Sequence, residues 1–273
     1  MVNGRCIFCG NSPLTGEHLF PKWLKSVEAK MVPPHGTKTV YRASSGGPHI
    51  FNNWDGSPNV KIHAVCKACN EGWMHEIEVT ARPILEPMIL GDKVVLSPED
   101  QLVVATWTCL KTFILACDLY SYMEHSWIED FYRRRLIPTS WRMWITTYVG
   151  RSRYLSDCAR LADDGSVVAT VGETKLGLPL PTPEPSSGSL TAGGPATWGV
   201  VASFILGRFA VKVLGVRRPD VYGDPSANAL LRLFPSRGLD MIWPTPIPTD
   251  DRILSVLLGM FQSTGHREPD FAI

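Results

Sequence analysis

A chain of 273 residues has room for one large domain or two modest ones, and its 44 % apolar residues suffice for a core. With 19 % charged residues and a formal net charge of +1, no global basic field draws it to nucleic acid, so any such contact rests on local patches. Seven cysteines in a chain this long argue against a secreted disulfide scaffold and suit a reducing cytosol.

The N-terminal stretch Met-Val-Asn-Gly-Arg-Cys has no apolar run behind a basic start, and no secretory signal is expected. Cys6-Ile7-Phe8-Cys9-Gly10 then reads as a metal knuckle. The tight turn aims both sulfurs at one ion, and Gly10 permits the turn behind them. Glu17-His18-Leu19-Phe20-Pro21 follows, and Pro21-Lys22-Trp23-Leu24 starts a short helix. Strand character returns at Lys38 to Arg42 and His49 to Phe51, predicting a hairpin insertion. Val60 to Val65 alternates as a strand leading into Cys66-Lys67-Ala68-Cys69. From Asn70 the period is helical, with Trp73, Ile77, Ile84 and Leu85 at helix-like intervals interrupted by Pro83.

Ser97-Pro98-Glu99-Asp100 is a strong helix start, and that helix is expected to run to about Met123. Its apolar stretch from Leu102 to Leu119 carries Lys111 near the middle, which predicts a buried core helix and no membrane partner. Lys111 is expected to pair with a buried acid or to reach towards the candidate active cleft, and the sequence does not choose between them. Ser126 to Glu129 reads as a capping box for a helix ending before Pro138. Strands are expected over Met143 to Val149, Leu155 to Ala162 and Val167 to Thr174, with a turn at Asp163-Asp164-Gly165. Residues 176–196, rich in Pro, Gly and Ser, predict a flexible loop or linker. Thr197 to Val216 is β-rich with a bend at Gly207, Pro225 to Phe234 reads as helical, and Ile242-Trp243 as extended. Thr249 to Asp251 caps a last helix to about Phe261. The fold class is α+β, with a division into residues 1–95 and 96–273.

Two Cys-x-x-Cys pairs, Cys6/Cys9 and Cys66/Cys69, are the signature of one tetrahedral zinc. Four thiolates leave no position for water, so that zinc is structural and any hydrolytic chemistry needs a second metal. Cys109, Cys117 and Cys158 lie in apolar text and read as small buried hydrophobes. Glu17, His18 and Asn70 are tied through the knuckles to the same small cluster. Carboxylate and amide oxygens are hard ligands suited to magnesium or manganese, and a neutral histidine beside them can take a proton from water. Together they describe one-metal phosphodiester hydrolysis. The bland alternatives are a surface acid with a hydrogen-bonded histidine, and for Asn70 the cap of the following helix. Lys22, Lys61 and Lys67, with Lys25 and His75, are placed for phosphate contacts. Arg133-Arg134-Arg135 suits phosphate contact or a solvated helix face.

The ordered set Cys6-x-x-Cys9, Glu17-His18-x-x-Pro21 and Cys66-x-x-Cys69-Asn70 resembles the HNH endonuclease family, the ββα-metal fold, in its zinc-supported form. Gly72-Trp73-Met74 and Glu78 are similar to HNH proteins of phages and actinobacteria. The resemblance covers the first third of the chain. It implies that Glu17 and Asn70 bind a catalytic divalent metal, that His18 is the general base, and that residues 1–95 form the nuclease domain. Glu17 stands where Asp is commoner, Met74 where many members carry a second histidine, and Asn59 is the candidate for the middle asparagine. The resemblance implies a divalent-metal-dependent endonuclease acting on DNA rather than RNA, in bacterial or phage cytoplasm. The alternatives are a zinc-supported nucleic-acid-binding module without hydrolysis, and an effector governed by residues 96–273 through a homodimer or regulatory partner.

Overall fold

The computed structural model describes residues 4–31, 39–40, 50–51, 61–117, 123–150, 154–161, 167–171, 199–217 and 230–250. The fold is mixed α+β, as the sequence pattern predicts. In the N-terminal part, strand β1 (Leu14–His18) is followed by helix α1 (Leu24–Glu28). The short strands β2 (Thr39–Val40) and β3 (Ile50–Phe51) pair antiparallel, as the expected hairpin does. Strand β4 (Lys61–Cys66) then pairs antiparallel with β1. The register slips between Thr15 and Glu17, where His63 and Ala64 together oppose Gly16. Such irregularities re-aim side chains, and this one falls beside Glu17 and His18.

Beyond β4 the chain turns directly into a helical run. Helix α2 (Lys67–Cys69) leads through a π turn (Asn70–Met74) into α3 (His75–Leu90). Gly72 departs from helical geometry at φ −94°, ψ −119°, which kinks the run. Pro83 does not interrupt α3, nor does Pro87. Each removes one backbone donor, but burial of Ala81, Leu85, Met88 and Ile89 holds the segment helical. Gly91 closes it in the left-handed conformation, φ 85°, with its N–H on the Pro87 and Met88 carbonyls.

Strand β5 (Val94–Leu96) precedes α4 (Pro98–Leu115). The cap is the predicted one: Asp100 N–H donates to Ser97 Oγ, and Ser97 N–H to Asp100 Oδ2. The helix ends at Leu115, short of Met123. From Trp107 to Leu115 every residue is buried, which marks a helix enclosed on all sides. Its partners are α3, β4 and β5, and three strands of the large sheet described next. Among the described residues no helix is long and apolar enough to cross a membrane.

Helix α5 (His125–Arg134) has Glu124 at its N-cap, so Ser126 lies inside the helix and makes no cap. Strands β6 (Trp141–Thr147), β7 (Tyr154–Leu161), β8 (Val167–Val171), β9 (Gly199–Leu206), β10 (Phe209–Gly215) and β11 (Leu231–Phe234) form an antiparallel sheet in the order β11-β6-β10-β9-β7-β8. Gly207, at φ 56°, makes the turn between β9 and β10, and a Cβ there would meet the Ile89 carbonyl at 2.5 Å. The stretch expected to be helical up to Phe234 ends instead in β11, whose Leu231 pairs with Ile145 and Arg232 with Trp144. Its dense apolar run fits either period, and the open edge of β6 decides in favour of the strand. Strand β12 (Met241–Trp243) pairs with β5.

One continuous apolar core runs from Cys6 in the first knuckle through α3 and α4 to Trp243. Cys109, Cys117 and Cys158 are buried as expected. Of the tryptophans read as core aromatics, Trp107, Trp141 and Trp144 are buried, and Trp127 packs partly buried against the core. The 176–196 loop, the turn at 163–165, the helix expected after Thr249, and Asn59 lie outside the described residues.

Candidate functional site

The four paired cysteines converge. Ile7 N–H donates to the Ala64 carbonyl at 2.9 Å, fastening the first knuckle to β4, while β4 itself ends in Cys66. Gly10 turns the knuckle at φ 73°, its N–H on the Cys6 carbonyl. All four sulfurs lie within 4.8 Å of one another, and Cys9 Sγ is 3.4 Å from Cys66 Sγ. A tetrahedral zinc with bonds of about 2.3 Å sets its sulfurs roughly 3.8 Å apart, so this donor set could hold a metal such as zinc. Burial pushes the Cys9 and Cys69 thiols up. Burial acts in the same direction on Cys66, but the Cys69 backbone N–H and the neighbouring thiols outweigh it and lower that thiol.

Beside the cluster lies a cleft of about 660 Å³ between β1 and α3. Thr15, Gly16, Glu17 and His18 line one wall, with Pro21, Lys22 and Trp23 at its end. The opposite wall is Asn70, Glu71, Met74, His75, Glu78, Val79 and Arg82, spaced along one helical face. The three residues of the predicted centre, Glu17, His18 and Asn70, thus share one cleft. Asn70 Nδ2 donates to Thr15 Oγ1 at 3.3 Å, which commits the amide nitrogen and leaves Oδ1 as its ligand-capable atom. Asn70 does not cap the helix: it lies inside the helical run and makes its side-chain bond across to β1.

Glu17 is buried, at 6 % exposure, and its partner comes from α4, beyond residue 95. Lys111 Nζ, fully buried on α4, donates to Glu17 Oε1 at 2.8 Å and to the His18 carbonyl at 3.1 Å. Glu78 Oε1 lies 2.6 Å from the same ammonium, in an ion pair not aligned as a hydrogen bond. Burial alone would push the Lys111 pKa down, but the Glu78 and Glu17 carboxylates outweigh it and hold it above the ordinary lysine value.

Of the expected phosphate contacts, Lys22 and His75 line the cleft, and Lys25, Lys61 and Lys67 do not. Lys61 lies along Gly16, and Lys67 pairs with Glu71 at 3.7 Å. Arg133 and Arg134 pair along α5 with Glu129 and Asp130, as a solvated face does. Arg135 instead stacks 3.9 Å over the Trp73 ring. Arg82, which carries no sequence motif, and Glu78, an acid that suits the start of a helix, also line the cleft. Their signal is the four-residue rhythm Asn70, Met74, Glu78, Arg82 on one helix face. No protein-family model, curated protein or solved structure matches the chain.

Proposed function

We propose that the chain is a divalent-metal-dependent endonuclease of the zinc-supported HNH type, with DNA as its substrate. The observation that carries the reading is the convergence of Glu17, His18 and Asn70 on one cleft beside the four-cysteine cluster. The antiparallel pair β1–β4 followed by a helical run supports it as the expected ββα order.

In this reading zinc on the four thiolates is structural. The Glu17 carboxylate and Asn70 Oδ1 would hold magnesium or manganese, since both are hard oxygen donors. When bound, that ion stabilises charge on the phosphate and on the leaving oxygen. His18 takes the proton of the attacking water as the new P–O bond forms and the old one breaks. The leaving oxygen then gains a proton from solvent. Lys22, His75 and Arg82 line the cleft where they can meet the flanking phosphates.

The reading is tested on supercoiled plasmid with magnesium or manganese, with chelator, and with His18→Ala. Nicking that needs the metal and disappears in His18→Ala is the expected result. Equal cleavage by both proteins would exclude this centre.

A second reading, a nucleic-acid-binding module without hydrolysis, draws on the Lys111 ammonium that already engages Glu17. It predicts DNA binding of wild-type strength in His18→Ala and cleavage by neither protein. Control of the cleft by residues 96–273 is a compatible extension, since Lys111 belongs to that part.

A further inference from the structure

Lys111 is the least expected side chain in the core. An ammonium taken wholly out of water needs close and complete compensation. Here it meets three oxygens from two elements: Glu17 Oε1 and the His18 carbonyl on β1, and Glu78 Oε1 on α3. Two of these belong to the consecutive residues assigned the metal-binding and proton-accepting roles. The third comes from α3, the helix that follows the π turn holding Asn70.

Resting on the nuclease reading, we propose that Lys111 is the positioning residue of the cleft: it holds Glu17 through Oε1, leaving Oε2 to meet a divalent cation, and fixes the backbone from which His18 projects. The charges explain why two carboxylates serve one lysine. One ammonium and two carboxylates leave a formal charge of −1, so the buried group still attracts a cation after Lys111 is paired. The ammonium also takes the place between Glu17 and Glu78 where a second cation would otherwise be favoured, which suits a single divalent ion. An apolar residue at 111 would leave Glu17 buried without a counter-charge. Groups that orient metal-binding side chains typically change metal affinity or activity by about 10–100-fold when removed.

The test is Mn²⁺ binding to the full-length zinc-loaded protein, measured by calorimetry and by the loss of free-ion EPR signal. Glu17→Gln, Lys111→Arg and the double variant K111M/E78Q are compared with wild type. The double variant keeps the formal −1 of the group and leaves no second unpaired carboxylate. It is therefore expected to fold with its zinc, to bind Mn²⁺ about 10–100-fold more weakly, and to lose kcat at unchanged KM for DNA. Lys111→Arg keeps the charge but cannot reproduce the three contacts, and its Mn²⁺ affinity is expected to fall too. Mn²⁺ binding as tight as wild type, or tighter, in both Lys111 variants overturns the positioning role. If in that case Glu17→Gln abolishes binding, the nuclease reading survives. If wild type takes up no Mn²⁺ beyond its zinc, the nuclease reading fails and the positioning role falls with it.

Discussion

The Phe8 ring meets the Trp73 indole edge-on, with ring centroids 4.9 Å apart. Phe8 sits between the two cysteines of the first knuckle, and Trp73 in the π turn just after the second. The same phenylalanine also touches Phe113 on α4 and Tyr132 on α5. The turn that carries Cys6 and Cys9 is thereby wedged into aromatic side chains from both parts of the chain.

Zinc held by the four thiolates would add its binding free energy to folding, so its removal should loosen more than the knuckles. Chelation, or Cys66→Ser, is expected to abolish zinc uptake and to lower the unfolding midpoint of the whole chain. Phe8→Ala should cost about 3–5 kcal/mol while retaining the four ligands. Zinc content with calorimetric unfolding checks both. An unchanged midpoint without zinc would contradict the wedge.

The buried lysine gives a pH dependence with a definite sign. The Lys111 pKa is raised by Glu78 and Glu17 against the effect of burial. A raised lysine stabilises fully below its unfolded value of about 10.4, and that contribution is lost as pH rises through the folded value. The stability difference between wild type and K111M/E78Q should stay constant from about pH 7 to pH 10 and narrow only above that. Urea unfolding at several pH values measures it. A difference that collapses below about pH 9 would contradict the account.

Arg135 combines two opposing effects. Its φ of 58° places a non-glycine residue in the left-handed region, while its guanidinium covers Trp73 at 3.9 Å. Arg135→Ala should lose about 1–2 kcal/mol of cation–π attraction and keep the backbone cost. Arg135→Gly loses the same attraction but relieves about 1 kcal/mol of that cost, and should be the more stable variant. Thermal unfolding ranks the pair, and the reverse order would refute the assignment.

Much of the site was legible in the sequence, and the reasons are local. Cys-x-x-Cys spacing fixes the sulfur geometry within one turn, and Glu17, His18 and Asn70 stand close in sequence to those turns. The Ser97 cap and the β9–β10 turn at Gly207 are likewise written in a few adjacent residues. What escaped depends on distant partners. Lys111 stood out as a charge in an apolar helix, but nothing in the sequence could choose Glu17 and Glu78, 94 and 33 positions away, as its partners. Pro83 suggested a break because propensity is local, whereas the burial that overrides it comes from the surrounding core. The run up to Phe234 fits either period until the edge of β6 is there to pair with it.

Nucleic-acid affinity should separate the basic residues by position. Lys22→Ala and Arg82→Ala, both in the cleft, are each expected to weaken DNA binding and lower the salt-dependence slope by about one. Lys67→Ala, outside the cleft, should leave both unchanged. Titrations at several salt concentrations, without a catalysing metal, report the slopes. Equal losses at all three positions would point to a diffuse surface rather than the cleft.

The central claim is that His18 takes the proton of the attacking water, and chemical rescue tests it most directly. Plasmid cleavage by wild type and His18→Gly is followed with magnesium or manganese, with and without added imidazole. The account predicts metal-dependent cleavage by wild type, its loss in His18→Gly, and partial recovery when imidazole fills the vacated part of the cleft. Undiminished cleavage by His18→Gly, or no cleavage by the zinc-loaded wild type on duplex, branched or single-stranded substrates, would contradict it.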